Sequence, residues 1–170
     1  MKHSFFSFLI VAGFLTQCLA VEPVRLEAES KPYNGDVQVL AEEGASGGSY
    51  LSTQKPYGPL LIADVPEGIL PVTVWVRARG HAVCLKALAE DKTQKELKWV
   101  FQMPPQWTWR SFGTYDRSQI GKRVLIIRSD KGTEDAGLDV LIFSEDPAYD
   151  PNQASPEVPT TPAPLPGSMP

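Results

Sequence analysis

The stretch that most constrains this chain is Gly137-Leu138-Asp139-Val140-Leu141-Ile142-Phe143, an apolar run of strand length with one carboxylate set into it. A buried strand does not tolerate a lone aspartate unless something pairs with it. Far upstream, Leu26-Glu27-Ala28-Glu29 carries acids at alternate positions. Side chains two apart on a strand share a face, so Glu27 and Glu29 are expected to point the same way. One arrangement satisfies both segments: the first and last strands lie side by side, and Glu27, Glu29 and Asp139 meet around a bound cation. Taken alone, the residues read more simply as two glutamates on a solvated face and an aspartate capping a turn.

Between these segments the chain reads as short strands punctuated by glycine and proline. Ile69 to Arg79 is the longest, with Val72, Val74, Val76 and Ala78 on one face and Thr73, Trp75, Arg77 and Arg79 on the other. Strands are also expected at Val24 to Glu29, Asp36 to Ala41, Leu60 to Val65, Val83 to Ala89, Glu96 to Phe101, Trp109 to Tyr115, Val124 to Arg128 and Leu138 to Phe143. Lys31-Pro32-Tyr33-Asn34-Gly35 is a turn, and Gly44-Ala45-Ser46-Gly47-Gly48 a tight loop. No helix and no Lys-Ser/Thr follows those glycines, which argues against a phosphate cradle. No window holds a helical period across ten residues. The pattern predicts an all-β sandwich or barrel.

Lys2 and His3 precede an apolar run, Phe5 to Leu15, closed by Thr16-Gln17-Cys18-Leu19-Ala20. This is the form of a secretory signal, with cleavage expected after Ala20 and residues 1–20 lost. The run is too short to span a bilayer comfortably. Lipidation at Cys18 is the alternative, although Gln17 fits poorly before a lipidated cysteine. The protein is therefore expected to be secreted or periplasmic. From residue 150 to 170 the chain turns to Pro, Thr, Ala and Ser and has little to bury, so a disordered tail is expected. Residues 21–149, roughly 125 of them, suffice for one domain with a real core. Acids and bases are interspersed at a net charge of -4, which argues against a nucleic-acid surface. Once Cys18 leaves with the signal, Cys84 stands alone and no intrachain disulfide can form.

Catalytic groups are sparse. His81 stands three residues before Cys84, but a Cys-His dyad usually meets across a fold rather than along one hairpin. Cys84 is expected to be a small apolar filler. Glu42-Glu43, and Asp130 with Asp135, read as solvated turn acids, although a glycosidase pair is a matter of spatial separation that sequence does not give. No catalysis is expected.

Leu26-Glu27-Ala28-Glu29, Gly47-Gly48-Ser49-Tyr50-Leu51, Val74-Trp75-Val76-Arg77, Trp107-Thr108-Trp109 and Leu138-Asp139-Val140-Leu141-Ile142 follow one another in an order that resembles carbohydrate-binding modules of family 6 and family 35. Asp146-Pro147-Ala148-Tyr149-Asp150-Pro151 is similar to the ending of such modules in exported bacterial polysaccharide-related proteins. The resemblance implies a jelly-roll β-sandwich, galactose-binding-domain-like. It implies a structural calcium held by Glu27, Glu29 and Asp139, with loop carbonyls such as those near Gly47-Gly48 completing the set. Clustered carboxylates and carbonyls suit calcium, and the absence of His and Cys from the set argues against zinc. It also implies a polysaccharide or glycan as partner, bound among loops at one end or across a sheet face.

Sugars are gripped by aromatic faces with planar polar groups fixing the hydroxyls. The loop candidates are Tyr33 and Asn34, with Trp107 as an opposite wall and Asp130 and Lys131 in the last loop. Each ring could instead close the end of the core. Related modules often carry asparagine just before the late aspartate, where this chain has Ala136-Gly137, so the ligand contacts must differ or the cleft is silent. On the sheet face, Trp75, Arg77 and Arg79 would either hold an acidic sugar or pair with acids of neighbouring strands. Trp99, Trp109 and Tyr50 are expected in the core. The resulting expectation is a monomeric, non-catalytic, calcium-stabilised glycan-binding module. An envelope protein of the same fold that binds a protein partner is the alternative, and a small hydrolase or lyase a third.

Overall fold

The computed structural model describes residues 21–33, 35–80, 82–100, 103–129 and 137–153. Ten strands follow in order: β1 Val24–Glu27, β2 Gln38–Ala41, β3 Ser49–Ser52, β4 Pro59–Asp64, β5 Val72–Arg79, β6 Ala82–Leu88, β7 Gln94–Val100, β8 Thr108–Tyr115, β9 Arg123–Ser129 and β10 Gly137–Ser144. One sheet runs β2-β3-β10-β5-β8, with β1 also paired to β10, and the other runs β4-β9-β6-β7. Every pairing is antiparallel. The expected all-β sandwich is the fold observed.

Alternation on β5 builds the core. Val72, Val74, Val76 and Ala78 are fully buried and pack with Leu51, Phe112, Leu138, Leu141 and Phe143 of their own sheet. Val83, Leu85, Val124 and Ile126 face them from the other sheet. Removing that much apolar surface from water is the main force closing the two layers. The opposite face of β5 carries Trp75, Arg77 and Arg79, each partly exposed, as the alternation predicts.

First and last strands do lie side by side, with Glu27 opposite Val140 and Leu26 opposite Leu141. The local shape differs from the expectation at both. β1 stops at Glu27 and a single 3-10 turn follows over Ala28–Ser30, so Glu27 and Glu29 do not share one strand face. Ser30 Oγ donates to the Glu27 carbonyl at 2.6 Å, a local bond that competes with the sheet ladder. Ala28, fully buried, anchors the turn. On β10 the register to β5 slips between Leu138 and Val140, leaving Asp139 as the extra residue of a β-bulge. The slip lets Leu138 and Leu141 both reach the core while Asp139 turns away from it.

A one-turn helix, α1 Arg117–Ile120, joins β8 to β9, with Asp116 N–H donating to Gln119 Oε1 at 2.9 Å. Four residues are too few to leave a helical period in the sequence. Beyond β10, the Asp150 carboxylate accepts from Asn152 N–H at 2.9 Å and Pro151 is buried. No helix among the described residues is long and apolar enough to cross a membrane.

Candidate functional site

The three acids are gathered around one turn, the 3-10 segment Ser46–Gly48. Ser46 N–H donates to Asp139 Oδ1 at 3.0 Å, and Ser46 Oγ donates to Glu27 Oε1 at 3.1 Å. Ser49 Oγ donates to Glu29 Oε1 at 3.4 Å. Gly47 sits at φ +64, and a Cβ there would stand 3.0 Å from Glu29 Oε1. The left-handed backbone favours glycine here, and a Cβ would in addition press on the end of the Glu29 side chain. Two arginines reach in: Arg25 Nε donates to Glu27 Oε1 at 2.8 Å, and Arg77 Nη1 pairs with Asp139 Oδ2. Asp139 is wholly buried. Burial pushes its carboxyl up to about 6 and Glu27 adds to the rise, against the Ser46 N–H and Arg77, which favour the charged form.

Not every oxygen in this cluster is satisfied. Glu27 Oε2 and Glu29 Oε2 are both buried without a hydrogen-bond partner. A buried carboxylate oxygen left this way is costly, and it is what a hard cation would satisfy. Both Asp139 oxygens already have donors. Among the described residues no group of three or more His, Cys, Asp or Glu side chains could hold a metal ion, so the expected three-acid arrangement is not formed: Asp139 is held by Ser46 and Arg77. The donors left for a hard cation are the two orphaned glutamate oxygens.

Next to this cluster the outer face of the larger sheet is filled by stacked side chains. The Arg79 guanidinium lies 4.9 Å from the Tyr50 ring centre and 4.8 Å from that of Trp107, and Arg77 lies 5.6 Å from Trp107. Tyr50 and Trp107 meet edge to face at 5.3 Å. Arg79 Nη1 pairs with Glu42 at 2.5 Å, and its Nη2 donates to Tyr50 Oη at 3.1 Å. Of the two sequence alternatives for Trp75, Arg77 and Arg79, the structure takes the one in which both arginines pair with acids. Tyr50 is buried, as expected, but under this outer layer rather than between the sheets. Trp99 also lies outside the central core, packed on Cys84, Leu125 and Ile127.

Trp107 is held in this layer. Its described ring contacts are with Tyr50, Arg77 and Arg79, and none is with Tyr33. A Cβ on Gly137 would stand 2.5 Å from Trp107 Cη2. The indole occupies the space that a side chain at position 137 would need.

Tyr33 lies at the end of the sandwich where β4 begins. Its N–H donates to the Leu60 carbonyl at 3.0 Å, and Pro32 bridges Leu61. The same end presents a residue the sequence reading missed. Tyr57, in Pro56-Tyr57-Gly58, is the most exposed large apolar side chain among the described residues at 56%, with Tyr33 at 39%. Tyr57 holds a left-handed backbone, φ +55, uncommon for a residue with a bulky side chain. Its loop is clamped. Thr53 Oγ1 donates to the Asp36 carbonyl at 3.2 Å, Lys55 approaches the Asp36 carboxylate at 3.7 Å, and Arg128 N–H donates to Gly58 O at 2.9 Å. The fully buried Arg128 guanidinium also donates to Thr53 O. The signal in the sequence was an aromatic set at the tip of a Pro-x-Gly turn.

Cys84 is buried, and desolvation pushes its thiol up to about 11, so it is an unreactive filler. Asn34, Asp130, Lys131 and His81 lie outside the described residues, as do Asp135, Cys18 and the proline-rich segment beyond Gln153.

No protein-family model matches the sequence, and no curated protein matches it. Solved structures do. A GH26-CBM35 β-(1,4)-mannanase from Podospora anserina matches at a TM-score of 0.55 and 14% identity over 76% of this chain. The matched region is 29% of the mannanase, so this chain spans well under half of that protein. CsCBM6-3 from Clostridium stercorarium, solved in complex with cellobiose, matches at a TM-score of 0.52 and 14% identity, over 72% of this chain and 94% of its own. The chain has the galactose-binding-like β-sandwich fold of these modules.

Proposed function

We propose that this protein is an exported, non-catalytic glycan-binding module that receives sugar on Tyr33 and Tyr57 and is stiffened by calcium. The observation that carries the reading is the pair of exposed tyrosines on two loops clamped to each other at one end of the sandwich. Flat rings that already sit in water lose little on accepting the C–H face of a sugar, and a clamped loop loses little freedom on binding. The buried Arg128 keeps the Tyr57 loop in place from beneath. Trp107 packs on Tyr50, Arg77 and Arg79 on the outer sheet face.

Glu27 and Glu29 would hold the calcium through their orphaned oxygens, with Asp139 kept beside them by Ser46 and Arg77. When bound, the ion supplies a positive centre that neutralises the acids tying β1 to β10. This chain's own contribution is the Ser46–Gly48 turn, which positions the acids, and Arg77, which holds Asp139.

The test is a glycan array followed by calorimetry on the hit. Truncating a central aromatic anchor typically costs 2 kcal/mol or more, so Tyr57→Ala is expected to weaken binding by roughly thirtyfold or more. Tyr33→Ala is expected to act in the same direction. Retention on no glycan, or binding unchanged in Tyr57→Ala, would remove the reading.

A further inference from the structure

Tyr57 is carried by residues 53–58, the whole connection from β3 in one sheet to β4 in the other. A single residue of β9 grips both feet of this loop. The Arg128 guanidinium donates to the carbonyl of Thr53, the first residue after β3, and the Arg128 N–H donates to the carbonyl of Gly58, the last before β4, at 2.9 Å. Between its feet the loop is wound tightly. Lys55 N–H donates to Thr53 Oγ1 at 3.2 Å, and Gly58 N–H donates to the Lys55 carbonyl at 3.0 Å. A Cβ on Gly58 would stand 2.8 Å from the Lys55 carbonyl oxygen and 3.3 Å from Thr53 Cγ2. Within this winding Tyr57 sits at φ +55, a backbone that a bulky side chain adopts only where its surroundings impose it.

Packing alone does not call for an arginine at this position. Val124 and Ile126 of β9 belong to the central core, while Leu125 and Ile127 pack on the outer side of the same sheet. By alternation Arg128 is the next inward position, and it stands opposite the core residue Val83. An apolar side chain would continue that row. A fully buried guanidinium instead has to recover the cost of leaving water through hydrogen bonds. The bond to Thr53 spends that charge on the loop that carries Tyr57 and not on the packing of the two sheets.

We propose that Arg128 is a positioning residue for the tyrosine site: by fixing Thr53 and Gly58 at once, it holds Tyr57 in its left-handed backbone and sets the ring in place before any ligand arrives. The ligand part of this assignment rests on the glycan-binding reading above, whereas the hold of Arg128 on the Tyr57 backbone rests on the loop alone. A ring fixed in advance spares the complex the loss of freedom that ordering it would bring.

Nitrogen-15 relaxation of the free, full chain tests the hold without any ligand. In the wild type the backbone order parameters of Tyr57 and Gly58 are expected near about 0.85, and in Arg128→Met below about 0.6, with order kept in the strands. Arg128→Lys, which supplies a point donor in place of the fork, is expected to fall between them and serves as the second variant should Arg128→Met not fold. Calorimetry on the oligosaccharide retained on the glycan array then reads the consequence. Folded Arg128→Met is expected to bind about tenfold more weakly, with part of the loss recovered in Arg128→Lys. Gly58→Ala, which forces the same loop open directly, gives the size of effect to be matched. A merely structural arginine would lower Tm and leave both readouts unmoved in the folded protein. Wild-type order at Tyr57 and Gly58 in the arginine variants, or wild-type affinity from a loosened loop, would overturn the proposal. Should no oligosaccharide bind, the glycan reading fails by itself, and the relaxation measurement still decides whether Arg128 sets Tyr57.

Discussion

Replacing Gly137 with alanine tests the packing that fixes Trp107. The added Cβ would stand 2.5 Å from Trp107 Cη2, and 3.1 Å from both Trp107 Cζ3 and Tyr50 Cδ2. Carbon atoms rest comfortably at about 3.5–4.0 Å, so the indole must move by about 1 Å. Its movement disturbs the stack around it, in which the Arg79 guanidinium lies 4.8 Å from the ring centre and Tyr50 meets it edge to face at 5.3 Å. Overpacking of this kind costs about 1–3 kcal/mol. A disturbed edge-to-face pair adds about 0.5–1.5 kcal/mol and a weakened cation–ring contact about 0.5–1 kcal/mol. Alanine recovers about 0.5–1 kcal/mol over glycine in a strand. The expected net loss is about 3 kcal/mol, or about 10 °C in Tm for a domain of this size. Urea titration followed by tryptophan fluorescence measures it, and near-UV circular dichroism reports the altered indole. Because the clash is with one ring, Trp107→Leu is expected to relieve it. The double variant should be more stable than the sum of the singles predicts, by about 1 kcal/mol or more. A Gly137→Ala loss under 0.5 kcal/mol, or strict additivity with Trp107→Leu, would refute the reasoning.

Three further outcomes are expected. In calcium-free protein, native Asp139 keeps a proton to about pH 6 that the unfolded chain releases near pH 4. Its contribution to stability therefore falls as pH rises through that window, by on the order of 2–3 kcal/mol in total. Urea melts from pH 4 to 7 should show this slope in the wild type relative to Asp139→Asn, and a difference of opposite sign would contradict it. Calcium at a hundredfold excess over its Kd should stabilise the wild type by about 2.7 kcal/mol, with the gain largely lost in Glu27→Gln and Glu29→Gln; equal gains in all three would exclude the glutamates as ligands. Cys84 should resist thiol reagents at pH 8 until the protein is unfolded, and rapid labelling of the folded form would show that the thiol is reachable.

The features legible in the sequence were those set by periodicity. Alternation on Val72–Arg79 assigned both faces of β5, and the apolar run with its single acid located β10 and its pairing with β1. Features that depended on a neighbour's shape were not legible. Asp139 leaves the core through a register slip against β5, and nothing in one strand's sequence announces where its partner will slip. The alternation of Glu27 and Glu29 suggested one face, but Ser30 captures the Glu27 carbonyl and bends the chain between them. The packing of Trp107 over Gly137 was not legible either, because it is a contact between residues thirty positions apart in the chain. Tyr57 was overlooked because an exposed aromatic on a turn leaves no periodic trace.

β10 is the last of the ten described strands, yet it bonds to β1, β3 and β5 and so stands in the middle of its sheet. During synthesis, those three strands must wait as open edges until residues 137–144 arrive. A nascent chain stopped short of them has half a sandwich and no keystone. Assembly of the larger sheet therefore waits on β10, is dominated by distant pairings, and is slow by the standard of locally wired folds.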